Sequence, residues 1–115
     1  MITEEIKKII ESNVLALATT DKKGNPHCIA VGDVKVISNN QILIGNNYMV
    51  ETIENIKRNP NVALIVWDNK GGYELKGNVE YFNKGKWLNF VKKIHKGYSA
   101  KGAILVNIKE IKKLA

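Results

Sequence analysis

From Gln41 to Asp68 the sequence sets out four pieces in a fixed order: a short apolar segment, QILI; a polar loop, GNNYMVET; a helical stretch; and a second apolar run, VALIVWD. The loop ends where the helix begins, and Thr52 falls inside the first helical turn. A helix N-terminus carries unpaired backbone N–H groups and the positive end of the peptide dipoles, so it can hold a phosphate. Lys57, Arg58, Asn59 and Pro60 close the helix, with cations over its negative end and a proline that stops it. VALIVW is apolar without alternation, which predicts a strand covered on both faces. A strand, a phosphate-ready turn, a helix and a buried strand thus organise the chain. A plain crossover with a capped helix fits the same spacing.

At 115 residues the chain predicts one domain with a single core. No apolar run approaches the ~18–20 residues of a membrane-spanning helix. The opening MITEEIKKII is amphipathic and holds two glutamates, unlike a signal or transit peptide. Cys28 is the only cysteine, which excludes an intrachain disulfide and agrees with a cytoplasmic protein. The net charge of +7 invites a nucleic-acid reading. Against it, the charge is mostly scattered lysine (Lys84, Lys86, Lys92, Lys93, Lys96, Lys101, Lys109, Lys112 and Lys113). Arg58 is the only arginine, the residue type that most often reads bases. Attraction of a phosphate-bearing small molecule is the less demanding use of the same charge.

Thr3 predicts the cap of a first helix, with Glu4 and Glu5 in its opening turn and Ile6, Ile9 and Ile10 on one face. Val14 to Thr20 reads as a buried strand and Asp21 to Pro26 as a hairpin turn. His27 to Ile37 reads as one long strand, with Gly32 marking a bulge or a close approach to the backbone. After Asp68, Tyr73, Leu75, Gly77, Val79 and Tyr81 alternate with polar residues, a half-buried antiparallel strand. A helix follows from about Lys84 to Ile94, with Trp87, Val91 and Ile94 on one side. Then come a glycine-rich loop and a last strand, Ala103 to Ile111. Six strands and two or three helices predict a small closed antiparallel barrel, since closure removes sticky edges.

Metal ligands are too few in this sequence. His27 and Cys28 are adjacent, so in a strand they point to opposite faces and cannot chelate one ion together. The same geometry rules out a Cys–His nucleophilic pair, and Cys28 reads as a small core residue. No glycine-rich dinucleotide motif, phosphate-binding loop motif or nucleophile elbow is present. Glu51 and Glu54 read as helix N-terminal charges, and the tryptophans and tyrosines as core or interface. No side chain stands out as an acid–base catalyst. Binding of a phosphorylated organic cofactor, which would bring its own chemistry, is the sharpest reading left.

The order LATTDKKGNPHCIAV, QILIGNN, ETIENIKRNPNVALIVWD and GNVEYF resembles the pyridoxamine 5′-phosphate oxidase-like, FMN-binding split barrel family. The minimal FMN-binding proteins are its most similar members, and the likeness spans about residues 10 to 110. The resemblance implies a mainly β fold with short helices, a six-stranded antiparallel split β-barrel forming a single domain over 1–115. It also implies a homodimer with FMN in a groove between the subunits, acting in electron or hydride transfer with a redox partner the sequence does not reveal. By the resemblance, Asn46, Asn47, Tyr48, Val50, Glu51 and Thr52 lie around the FMN phosphate and ribityl chain. The backbone of Ala30, Val31 and Gly32 runs alongside the ring system, and Tyr98 or Ser99 falls near the flavin.

The chain departs from the family pattern at Glu51, where members usually carry Lys or Arg just before the threonine. A carboxylate beside a phosphate is repulsive, by on the order of a kcal/mol even when well solvated. Lys35, Lys57 and Lys101 are the candidates for a compensating charge. Oxidation of pyridoxamine phosphate itself is not expected, because those enzymes are longer and end in arginine- and histidine-bearing substrate segments. The same barrel binding heme, through His27 or His95, or a deazaflavin or another phosphate-bearing ligand without turnover, is the alternative.

Overall fold

Gly32 and Asp33 decide the architecture. In the computed structural model, which describes residues 1–94 and 99–114, the stretch expected as one long strand is two: β2 (Pro26–Val31) and β3 (Val34–Ser38). They go to opposite edges of one antiparallel sheet. Before them come α1 (Glu4–Ser12) and β1 (Leu15–Thr20). After them follow β4 (Gln41–Asn46), α2 (Glu51–Arg58), β5 (Asn61–Asp68), β6 (Gly71–Phe82), α3 (Lys86–Ile94) and β7 (Gly102–Leu114). The strand order is β2-β1-β5-β6-β7-β4-β3, seven strands and not closed, so the expected six-stranded closed barrel is corrected on both points. Two residues join the two outermost strands, so the sheet curls until its edges meet at Gly32–Asp33 and part elsewhere. The described residues hold three helices.

Local signals set most element ends. The Thr3 side chain accepts a hydrogen bond from the Ile6 N–H at 3.2 Å and starts α1, whose Ile6 and Ile10 are buried. Asp21 builds the β1–β2 turn: its carboxylate accepts from the N–H groups of Lys23 and Asn25, both at 2.8 Å, and Gly24 takes the positive φ the reversal requires. In the sheet, β1 runs from Leu15↔Val31 to Thr20↔Pro26 against β2, and β5 pairs along its full length with β6. Between β6 and β7 the register shifts at Lys76/Gly77, where a side chain on Gly77 would run into the Asn107 carbonyl.

The main core fills the curled sheet and is plugged by α1 and α2. It includes Leu15, Leu17, Ile42, Ile44, Leu64, Val66, Leu75, Ile104, Val106 and Ile108. A smaller cluster on the other side of β4 and β7 joins Leu43, Ala103 and Leu105 to Leu88 and Val91 of α3. The strand covered on both faces is therefore β4, where Ile42, Leu43 and Ile44 are all buried. The expectation for VALIVW is corrected: in β5 only Val62, Leu64 and Val66 are buried, because no helix lies over its outer face, and Trp67 is 50% exposed. Cys28, expected in the core, is exposed for the same reason, on the outer side of an edge strand. In α3 the buried positions are Leu88 and Val91, while Ile94 is exposed and Trp87 only flanks the cluster. Each fully buried aliphatic side chain contributes about 1.5–3 kcal/mol relative to exposure. No described helix is long and apolar enough to cross a membrane.

Candidate functional site

Where the two sheet edges diverge from Gly32, they leave a cleft of about 430 Å³ roofed by the loop before α2. This lies within the ~300–1,000 Å³ typical of small-molecule sites. Its floor is β2, whose inner face presents His27 and Ile29, continuing into Val31, Gly32 and Asp33. Its roof is Asn47 to Thr52. Eight of the nine residues picked out in the sequence border this one space: Ala30, Val31, Gly32, Asn47, Tyr48, Val50, Glu51 and Thr52.

The ninth, Asn46, has a different position. It is 3% exposed; its Nδ2 donates to the Tyr81 hydroxyl at 2.9 Å, and its Oδ1 accepts from the Met49 N–H at 2.8 Å. Both ends of the amide are engaged in holding the loop in place. Gly45 lets Asp33 pack close, since a side chain there would meet the Asp33 carboxylate, and the Gly45 N–H donates to the Asp33 carbonyl at 3.0 Å.

Helix α2 is pinned from below by Ile53 and Ile56 in the core and by Asn55, whose Nδ2 donates to the buried Thr19 hydroxyl at 3.0 Å. Its first turn faces the cleft. Val50 stands at the N-cap and offers no side-chain acceptor to the leading N–H groups. Thr52 is 1% exposed, borders the cleft, and its hydroxyl makes no hydrogen bond among the described residues. The Asn47 side-chain oxygen is likewise buried at the cleft without a hydrogen-bond partner. Buried polar atoms left without partners cost free energy, and a polar ligand at this corner would offset that cost.

The electrostatics differ from what the sequence suggested. Glu51 does not stand alone against a ligand: its carboxylate lies 3.0 Å from His27 Nδ1 across the cleft rim. None of the three lysines proposed as compensating charges borders the cleft. Lys35 pairs with Glu11 at 3.5 Å, and Lys57 lies over the Tyr81 ring, 5.8 Å from its centre. Lys101 is tied through its backbone N–H to the Asn46 carbonyl at 2.8 Å. A neighbouring polar groove shares Glu51 and holds Lys22, Lys23 and Arg58. The sequence reading missed Ile29, Asp33, Gly45 and Met49 in the lining and weighed His27 only as a metal or heme ligand or as half of a Cys–His pair. The alternation His27, Ile29, Val31 in β2 was the available signal. His95 and Tyr98 lie outside the described residues.

A curled antiparallel sheet with an edge cleft and a helix start at its mouth defines a split-barrel protein. The chain belongs to the pyridoxamine 5′-phosphate oxidase family, whose model matches residues 2–113. An uncharacterized protein of Methanocaldococcus jannaschii is 34% identical over 117 residues, covering 96% of this chain and 78% of that protein. Among solved structures, HupZ of Group A Streptococcus superimposes with a TM-score of 0.92 at 24% identity, over 99% of this chain and 94% of that one. An FMN-binding protein of Syntrophomonas wolfei superimposes with a TM-score of 0.84 at 16% identity, over 95% and 83% of the two chains. At these identities the structural matches speak for the fold.

Proposed function

We propose that this protein is an FMN-binding flavoprotein that works as a homodimer in electron or hydride transfer. The observation that carries the proposal is the convergence of the β2 backbone and the uncapped start of α2 on one cleft, with the buried Asn47 side-chain oxygen lacking a hydrogen-bond partner there. In this reading Thr52 and the first N–H groups of α2 hold the phosphate, Asn47 accepts a hydrogen bond from the ligand, and Ala30 to Gly32 flank the ring. A flavin bound there would supply the hydride and electron chemistry. The chain supplies orientation and exclusion of water.

The dimer reading draws on the outer face of the sheet. Ala16, Ala18, Cys28, Ala30, Ile65 and Trp67 share that face, and nothing in the described chain covers it. It runs up to the rim of the cleft, where Tyr48 is 86% and Val50 71% exposed. A second copy packed there would cover an apolar surface and close the cleft together.

An absorption spectrum of the purified protein, repeated after excess FMN and desalting, tests the proposal. Retained oxidised-flavin bands are the expected result; a colourless protein overturns it. Heme is the second reading, favoured by one observation: His27 borders the cleft with its Nε2 free of any hydrogen bond among the described residues. A Soret band in the same spectrum would mark it.

A further inference from the structure

A doubly charged phosphate is held more tightly beside a positive side chain, and the cleft has few candidates for one. No lysine or arginine among the described residues borders it. Its ionisable neighbours are Asp33, Glu51, Tyr48 and His27, so the imidazole is the one described group there that can carry a positive charge. That imidazole is also oriented. Its Nδ1 faces the Glu51 carboxylate at 3.0 Å, which leaves Nε2 on the far side of the ring, bonded to nothing among the described residues. A carboxylate 3.0 Å from one imidazole nitrogen orients the ring, and the other ring nitrogen stays available to an incoming anion.

We propose that His27, oriented by Glu51, is the cationic group that receives the phosphate end of the ligand. Glu51, which by itself would repel that phosphate, then acts as a positioning residue. The proposal rests on the flavin-phosphate reading above. The helix start and Thr52 provide neutral donors, and His27⁺ provides the charge that the residue before Thr52 does not.

Protonated, the His27–Glu51 pair is neutral overall and presents an N–H to the phosphate. Deprotonated, it leaves a bare carboxylate at the same rim. Phosphate binding is therefore tighter with the imidazole charged than with it neutral. Around His27 stand Glu51 at 3.0 Å, uncharged Thr19 paired with it on β1, and Asp33 and Tyr48 in the same cleft; on the other side of Glu51 a groove holds Asp21, Lys22, Lys23, Glu54 and Arg58.

The test is a titration of FMN, and separately of riboflavin, into wild-type protein, His27→Gln and Glu51→Gln. It is run at about pH 6 and about pH 8.5, on either side of the ordinary histidine range. Wild type is expected to bind FMN about tenfold or more tightly at the lower pH, the size of a hydrogen bond between charged partners. Riboflavin, without a phosphate, should show no such step. The phosphate itself titrates near pH ~6, but His27→Gln keeps that contribution, so the difference between variant and wild type isolates the imidazole. His27→Gln is expected to lose most of the step and to bind FMN weakly at both pH values. Glu51→Gln is expected to bind FMN more tightly than wild type at the higher pH, because the bare carboxylate is gone. This arm stands even if His27→Gln does not fold.

A His27→Gln protein with wild-type FMN affinity and an unchanged pH step overturns the inference and leaves the flavin reading intact. So does a Glu51→Gln protein that binds no more tightly than wild type at the higher pH. Equal wild-type affinity for FMN and riboflavin also overturns it, since the phosphate is then not held. Wild-type protein that binds neither flavin overturns both.

Discussion

The Asn46 amide donates to the Tyr81 hydroxyl at 2.9 Å, joining the end of β4 to β6 across 35 positions of sequence. The other end of the same amide accepts from the Met49 N–H at 2.8 Å. One buried side chain therefore sets the course of the loop that roofs the cleft. Replacing Asn46 with Ala leaves two polar groups without a partner and is expected to destabilise the fold by about 1–3 kcal/mol. Tyr81→Phe removes one bond and should cost less, about 0.5–1.5 kcal/mol. Urea denaturation of the two variants checks the ranking.

Thr52→Val separates packing from binding. Valine keeps the shape of a side chain that is buried at the start of α2 and removes only a hydroxyl with no partner among the described residues. Stability is expected to stay within about 1 kcal/mol of wild type or to rise. FMN affinity is expected to fall about tenfold, the scale of a hydrogen bond to a charged oxygen, while riboflavin affinity holds. Parallel thermal melts and flavin titrations measure both.

Acid should act through the β1–β2 turn. The backbone N–H of Asn25 holds the Asp21 carboxyl below its ordinary value of 3.8, helped by the N–H of Lys23 and the Asn25 side chain. A carboxyl lowered in the folded state contributes stability above its unfolded value, and that contribution is lost as pH falls through the lowered one. The melting-temperature gap between wild type and Asp21→Ala is therefore expected to be open above about pH 5 and to close at lower pH. A gap that stays constant on acidification would show that the turn does not depend on this charge.

The outer face offers a direct test of assembly. Ala18 sits mid-strand in β1 between Cys28 of β2 and Ala63 of β5, on the uncovered side of the sheet. Ala18→Glu places a charge in that apolar patch and is expected to convert a dimer to a monomer in sedimentation velocity. A monomeric wild type at micromolar concentration would sink the dimer. If the cleft needs the second copy to close, the variant also loses FMN on desalting.

Much of the fold was written locally. The Thr3 cap, the Asp21–Pro26 turn, and the Lys57–Pro60 stop each depend on atoms within a few residues of one another, so the sequence alone determined α1, the first hairpin and α2. The family resemblance carried most of the cleft's roof as well, because that loop and helix start are contiguous in sequence. What lay outside local pattern was the destination of each strand. A period-two pattern says which residues share a face, but not whether another element covers it; hence Cys28 and Trp67 proved exposed, while β4 was buried on both sides. Nor does it say that a chain passing Gly32 and Asp33 leaves one edge of a sheet and enters the other. The pairing of His27 with Glu51, 24 positions apart, follows from that curl. Capping and turn energies are short-range and readable along the chain, whereas curling the sheet brings together edges and charges that only the folded backbone makes neighbours.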